Sequence, residues 1–535
     1  MTDVHLQLNQ AAQQLQAGDP GGCHDLCQML LNAHPDLLPA KHLRGLASAN
    51  LGHQENAIND LTHVWSQQAS NLQAALALGT LLRQAERFEE ALDPLQAAAR
   101  QSELEVDARY ELARCLTRLR HAEKAMAEYR AVLTRMPAHT DAAANLSMLL
   151  ERANQLDEAG HWADQALAGS ASNLVAGLTR ATLDRRAGKT TEAIARLESL
   201  LNQGLSPLNK SIVLNQLGQC HDLAEQWDSA WARFQQSNET LRAHHPHGTP
   251  LDNGSYGLET IKQIQIWIKS QPPSRWSGFE LETSDEPVFL VGFPRSGTTL
   301  LDQALSAHPD IEVLEELELL DPVRRKWVDR DGLLNLSQMN TEDIHSSREM
   351  YLAERQSHRT DLNKPLVIDK LPLNLVYLFL IYRLFPRSHI LFVLRDPRDA
   401  CLSCYFQAFD LQGAMPYFLD FADTTNYYGS AMSLATGTMN SIANPRLTLR
   451  YENLVTNFES TMRGAIAFLG LEWDSGVLNY REKSKKSTIA TPSYQQVVQP
   501  LYKRSVGRWR HYRDHMEPGL ANLSQWVDYF DYRAG

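Results

Sequence analysis

Gly292-Phe-Pro-Arg295-Ser296-Gly297-Thr298-Thr299 puts two glycines, three hydroxyl side chains and a guanidinium into one short run. Those residue types at that spacing bind oxyanions. A glycine-bounded turn lets backbone N–H groups point inward, and a helix opening at Thr298 adds unpaired N–H groups and the positive end of its dipole. The Gly-x-x-x-x-Gly spacing is that of the loop that grips nucleoside triphosphates, where a lysine follows to hold the β- and γ-phosphates and a hydroxyl to hold magnesium. Thr298 stands where that lysine belongs. The cation is Arg295, inside the loop, and a guanidinium fork suits a single planar or tetrahedral oxyanion better than a metal-bridged triphosphate.

Further along, Glu315 and Glu316 fall about one helix-length beyond the loop. A carboxylate beside an anion cradle is a candidate general base for an acceptor hydroxyl. Either glutamate fits, and a solvated acidic first turn of a helix accounts for the same pair. Lys370 closes the run Pro365-Leu-Val-Ile-Asp-Lys370 and is fixed by Pro372. Arg395, with Ser403 further along the next helix, forms a second candidate anion grip; Asp396 is placed to cap that helix and Pro397 to begin it. Two separated anion sites fit a nucleoside phosphorylated at both its 3′ and 5′ ends. Tyr451 is a candidate neighbour of the adenine. Arg508 lies in a locally basic segment, Tyr502–Arg510, where Gly507 and Trp509 suggest a loop folded over an anionic ligand. Arg481 to Lys486 forms a second basic patch, facing an acidic acceptor or plain solvent.

These residues need a parallel sheet to present them. Val288–Val291 is a short, wholly apolar run of the kind buried on both faces; Ile311–Leu314 reads as a short strand or turn, and Pro365–Lys370, His389–Leu394 and Arg446–Tyr451 read as further strands. Lys370 and Arg395 then sit at strand C-terminal ends, where ligands bind in open α/β sheets.

The chain has 535 residues, 43% hydrophobic and 21% charged, which predicts more than one domain and an ordinary globular composition. A net charge of −12 argues against a nucleic-acid binder. No apolar run approaches a membrane span and the first residues lack the pattern of a signal peptide, so the expectation is a cytoplasmic protein with no membrane span. Six cysteines in a chain of this size read as buried free thiols, including Cys401 and Cys404 despite their redox-type spacing. The histidines around Pro246 and Gly248 read as an exposed connector, and no metal site is expected.

The N-terminal half carries a long register. Small residues recur at Cys23, Ala57, Ala91, Ala125, Ala159, Ala193 and Ala230, spaced by 34 residues five times and then 37. Twelve positions before each stands another: Ala11, Gly45, Gly79, Ala113, Ser147, Ala181 and Gly218. Two helices crossing closely in every unit require both, and Pro35 and Pro137 mark where second helices stop. The pattern resembles the tetratricopeptide repeat. It implies an all-α superhelical array of about seven repeats over residues 1–240, with a groove for a protein or peptide partner. Residues 241–285 then form a linker with one helix, Tyr256 to Lys269.

Residues 286–535 resemble the sulfotransferase family, most closely its protein-tyrosine branch. The resemblance rests on Pro294-Arg-Ser-Gly-Thr-Thr299, Ala307-His-Pro-Asp310 with Glu315-Glu316, Lys370-Leu-Pro, Arg395-Asp-x-Arg398, Tyr451-Glu-Asn-Leu-Val, and Ser493 with Gln496-Val-Val-Gln-Pro500. It implies an α/β P-loop-like domain with a central parallel sheet, using 3′-phosphoadenosine 5′-phosphosulfate as co-substrate and no metal. It further implies Glu316 as base and Arg295, Lys370 and Ser493 as stabilisers of the transition state. The loop Arg295 to Thr299 takes the 5′-phosphosulfate, and Arg395, Ser403 and Arg508 make further donor contacts. Gln407 stands where the tyrosine enzymes carry another arginine, and small-molecule sulfotransferases have a histidine at Lys370. The repeats and the missing anchor resemble bacterial repeat-containing sulfotransferases. Peptide tyrosine, sugar hydroxyl and small phenol all fit as acceptors. The rival readings are a P-loop kinase or ATPase, and a repeat scaffold with an inactive sulfotransferase domain.

Overall fold

The computed structural model describes residues 2–244, 255–273, 276, 286–328, 336–481 and 504–533. Ser493, Gln496 to Pro500, Lys483 to Lys486 and most of the histidine-rich stretch lie outside them. The chain forms two compact units, Met1–Leu183 and Asp184–Gly535.

Helices follow one another in pairs from the start: Thr2–Gln16 with Pro20–Ala33, Leu38–Asn50 with Gln54–Gln67, Leu72–Gln84 with Phe88–Ala98, Glu105–Arg118 with Ala122–Arg135, and Thr140–Arg152 with Leu156–Gly169. Leu174–Arg186 with Thr190–Leu201, and Pro207–Leu223 with Trp227–His244, continue the series. The register residues do what their size predicts. Every one from Cys23 to Ala230 is fully buried, and a Cβ added at Gly218 would lie 2.8 Å from Phe234. Pro137 falls two residues past the helix end at Arg135.

A second register, which the residue types conceal, runs through the same helices. Gly18, Gly52, Glu86, Arg120, Asn154, Gly188 and Glu225 all adopt left-handed φ, from 59° to 83°. Each follows the first helix of its pair, and the next N–H reaches back to close a Schellman motif, as in Arg87 N to Leu82 O at 2.8 Å and His121 N to Leu116 O at 2.9 Å. The tight reversal that stacks the second helix on the first is therefore built from backbone.

The second unit holds five parallel strands: β1 (Val288–Gly292), β2 (Ile311–Glu315), β3 (Leu366–Lys370), β4 (His389–Leu394) and β5 (Arg446–Arg450). Their spatial order is β2-β3-β1-β4-β5. The chain moves outward from β1 to β2, returns through β3 and crosses to β4, so the order reverses at β1. The loop after β1 lies at that switch point, the place where such sheets bind ligands. β1 is buried along its whole length, with Phe289 and Val291 in one apolar layer and Val288 and Leu290 in the other. Helix Leu258–Ser270 packs into the first of these layers, and Leu258 N donates to Tyr417 Oη at 3.0 Å. All six cysteines are buried and unbridged. Among the described residues no helix is long and apolar enough to cross a membrane.

Candidate active site

The loop after β1 closes through Ser296 N to Phe293 O at 3.1 Å and leads into helix Thr298–Ser306. Gly297 has φ of 101°, and a Cβ there would meet Tyr451 Cδ2 at 2.5 Å. Glycine is required twice over, by conformation and by the tyrosine ring lying against it. Ser296, Thr298 and Thr299 are buried, and the N–H groups of the helix's first turn have no partner within the helix itself. Arg295 adopts left-handed φ of 66° and Glu316 of 52°. Among the described residues these are the two non-glycine residues with positive φ that do not follow a helix end. Backbone held in such a conformation is characteristic of functional sites.

Around the loop, the two candidate anion grips prove to be one continuous structure. Arg295 Nε donates to Ser403 Oγ at 3.2 Å, while Arg395 Nη1 donates to the Arg295 carbonyl at 2.9 Å and Nη2 to the Ser505 carbonyl at 2.6 Å. Tyr451 opens helix Tyr451–Thr456 and stacks on the Arg395 guanidinium at 4.7 Å, so it braces the loop. Arg395 Nε is buried with no hydrogen-bond partner among the described residues. A buried, orphaned N–H on a cation is what an absent anion would satisfy. Asp396 caps helix Pro397–Tyr405 as expected. Arg398 is spent on structure, pairing with Asp396 at 2.7 Å and lying over Trp509 at 4.0 Å.

On the other side of β1, β3 delivers a fully buried Lys370, in register with Leu290 of β1 and Glu315 of β2. Three carboxylates surround its ammonium: Glu316 at 2.7 Å, Asp302 at 3.4 Å and Glu315 at 3.6 Å. Burial alone would strip its proton, but Asp302, Glu316 and Glu315 together outweigh it and hold Lys370 above its ordinary pKa. Asp302 is itself fully buried, and burial, against the pull of Lys370, pushes its carboxyl up to about 8. Asp369 next door is pushed up to about 7 by burial, with Tyr351 Oη donating to it at 3.0 Å. Glu316 N donates to the Lys370 carbonyl at 2.7 Å, extending the strand pairing by one residue before the chain turns away.

Arg508 pairs its guanidinium with Asp222 of helix Pro207–Leu223 at 2.7 Å, in the segment whose Ser505 carbonyl accepts Arg395 Nη2. Ser493 lies outside the described residues. Sequence reasoning passed over Asp302, Asp399 and Asp222. Asp302 sits on the buried stripe of its helix, where an acid is out of place, and that was the available signal. Asp399 accepts Gly507 N at 2.6 Å and Trp509 N at 2.8 Å, so it fastens the C-terminal loop. No metal-type cluster of His, Cys, Asp or Glu occurs among the described residues.

Residues 287–475 match the model of the sulfotransferase family. The chain is 25% identical over 408 residues to an uncharacterized Aquifex aeolicus protein, covering 73% of this chain and 51% of that one. It is 26% identical over 232 residues to protein-tyrosine sulfotransferase A of Caenorhabditis elegans, covering 42% of this chain and 60% of the relative. Against human protein-tyrosine sulfotransferase 1 it is 26% identical over 235 residues, 42% of this chain and 62% of that one. The chain thus spans between half and two thirds of the length of these relatives. A tetratricopeptide repeat protein from Parabacteroides merdae has a similar solved structure, 14% identical over 46% of this chain and 95% of that one, with a TM-score of 0.37. Within the C-terminal part of the chain, residues 287–475 carry the likeness to the sulfotransferase family. The paired helices with their 34-residue register form a tetratricopeptide-type array before it.

Proposed function

We propose that the protein is a sulfotransferase that moves a sulfuryl group from 3′-phosphoadenosine 5′-phosphosulfate to an acceptor hydroxyl. The observation that carries this reading is the joining of two anion grips at the switch point, through Arg295 Nε to Ser403 Oγ and Arg395 Nη1 to Arg295 O, with a lysine–carboxylate cluster beside them. A nucleoside phosphorylated at both ends needs two grips and a triphosphate needs one. The orphaned Arg395 Nε and the helix N-terminus that opens at Thr298 fit such a donor, which supplies an activated sulfuryl group and a bisphosphate leaving group.

The residues divide the work. Glu316, partly exposed and the nearest carboxylate to Lys370, takes the proton of the acceptor hydroxyl. Arg295, Lys370 and the loop amides are assigned the charge that develops on the sulfuryl and bridging oxygens, and Ser493, outside the described residues, takes the same role from the resemblance alone. Ser296, Gly297, Thr298 and Thr299 cradle the 5′ end; Arg395, Ser403 and Arg508 are assigned to the donor's 3′ side, with Tyr451 bracing the loop. No metal is assigned a role. The protein-tyrosine sulfotransferases among the relatives bring forward a protein tyrosine as acceptor, and the repeats are proposed to recruit the acceptor or a partner that carries it. Buried free thiols fit a reducing compartment such as the cytoplasm.

Transfer of labelled sulfate from the donor to peptides, glycans and small phenols tests the activity. Glu316→Gln should lower transfer by about 10²–10⁴-fold, the usual contribution of a general base, and leave binding of adenosine 3′,5′-bisphosphate intact. Full transfer by Glu316→Gln would move the role of base to Glu315 or elsewhere.

A further inference from the structure

The pair Pro207–Leu223 and Trp227–His244 belongs by sequence register to the repeats, yet its side chains hold the end of the Ser403 helix and the segment whose Ser505 carbonyl accepts Arg395. Asp222, buried near the end of the first helix, receives Arg508 Nη2 at 2.7 Å and Nε at 3.0 Å, Tyr512 Oη at 2.6 Å and Arg504 Nη2 at 3.3 Å. Both arginines and the tyrosine come from the segment that follows residue 503. That segment also gives its Ser505 carbonyl to Arg395 and its Gly507 and Trp509 amides to Asp399. From the same helical pair, Asn215 Nδ2 donates to the Phe406 carbonyl at 3.0 Å and Asn238 Nδ2 to the Tyr405 carbonyl at 2.9 Å. These carbonyls end helix Pro397–Tyr405, which carries Ser403, and the last carbonyls of a helix have no partner within it. Phe234 stacks on Phe406 at 4.0 Å and Trp231 on His515 at 5.2 Å. One helical pair thus holds the far end of the Ser403 helix and the loop that touches Arg395.

We propose that this last helical pair is part of the donor site, with Asp222 as a positioning residue that sets Arg508 and its loop against Arg395 and Ser403 for the donor's 3′-phosphate. The inference rests on the donor reading above and deepens it. Arg508 opens the short 3-10 helix Arg508–Tyr512, and a long cationic side chain that must be ordered at each binding event loses affinity to that ordering. Asp222 engages one edge of the guanidinium, Nε and Nη2, and so fixes the plane and direction of the fork in advance. Asn215 and Asn238 do the same for the Ser403 helix from its C-terminal end. The consequence for the architecture is that this repeat serves the nucleotide.

The test uses the full chain and two probes, adenosine 3′,5′-bisphosphate and adenosine 5′-monophosphate, titrated calorimetrically. Wild type should prefer the bisphosphate. Asp222→Asn should reduce that preference by up to about tenfold, the order of the cost of ordering one freed long side chain on binding, and should leave the monophosphate affinity unchanged. Asp222→Glu should restore most of the preference. A purely structural role would lower thermal stability and leave the ratio of the two affinities where it was, and that result overturns the inference. Should Asp222→Asn fail to fold, Asn238→Ala, which removes one carbonyl cap, carries the same comparison. A wild-type chain that binds both probes equally would overturn the donor reading itself, and the inference with it.

Discussion

Asp302→Asn should make the protein more stable as pH rises, by an amount that the geometry sets. Asp302 is fully buried with Lys370 at 3.4 Å and Glu315 and Glu316 on the lysine's other sides. Burial pushes its carboxyl up to about 8. Its unfolded value is about 3.9. Between those values the folded chain holds a proton that the unfolded chain has released, so stability falls as pH rises through the window from about 4 to about 8. Each pH unit is worth about 1.4 kcal/mol for one such group, hence on the order of 3 kcal/mol between pH 5 and pH 7. An amide does not titrate, so the difference between variant and wild type should grow by that amount in the variant's favour across those two pH units. Asp369, pushed up to about 7, adds the same slope to both proteins and cancels. For a unit of roughly 350 residues, an unfolding entropy near 2.1 cal/mol/K per residue gives about 0.7 kcal/mol per kelvin, hence about 4 °C of relative shift. Scanning calorimetry of both chains at pH 5, 6, 7 and 8 measures it. Parallel profiles would refute the reasoning, and a variant that loses ground as pH rises would show Asp302 to be an ionised counter-ion of Lys370.

Two further substitutions test other parts of the account. Gly297→Ala places a methyl 2.5 Å from Tyr451 at φ of 101°, and Tyr451 is pinned under Arg395. It should cost about 1–3 kcal/mol and abolish binding of adenosine 3′,5′-bisphosphate; normal binding would show that the loop tolerates rearrangement. In the repeats, Arg120→Gly should raise the melting temperature, because Arg120 is exposed at φ of 61° in a position that Gly18, Gly52 and Gly188 occupy in other repeats. The gain should be about 1 kcal/mol, and a drop in melting temperature would count against the Schellman reading.

The sheet was legible because its strands are short apolar runs bounded by turns: β1, β4 and β5 fall where Val288, His389 and Arg446 begin their runs. The helical array was legible because close crossings admit only small residues, and thirty-four residues separate most of them. The left-handed register was hidden because a Schellman motif asks for a backbone conformation, which Gly18 adopts freely and Glu86 or Arg120 adopts at some cost, so residue type carries little signal. The candidate site divides the same way. Arg295, Lys370 and Arg395 could be placed because each ends or follows a strand. Asp302 looked like one polar residue in an amphipathic helix until Lys370 arrived from β3. Asp222 meets Arg508 across 286 residues of sequence, a contact that no local pattern announces.

The central claim is that the loop after β1 and the grip at Arg395 and Ser403 hold a nucleotide phosphorylated at both ends. Calorimetric titration of the full chain with adenosine 3′,5′-bisphosphate and with ATP, each with and without magnesium, tests it most directly. The account predicts that the bisphosphate binds with or without magnesium and that ATP binds far more weakly. Tight, magnesium-dependent binding of ATP with none of the bisphosphate would contradict it and return the loop to the kinase or ATPase reading.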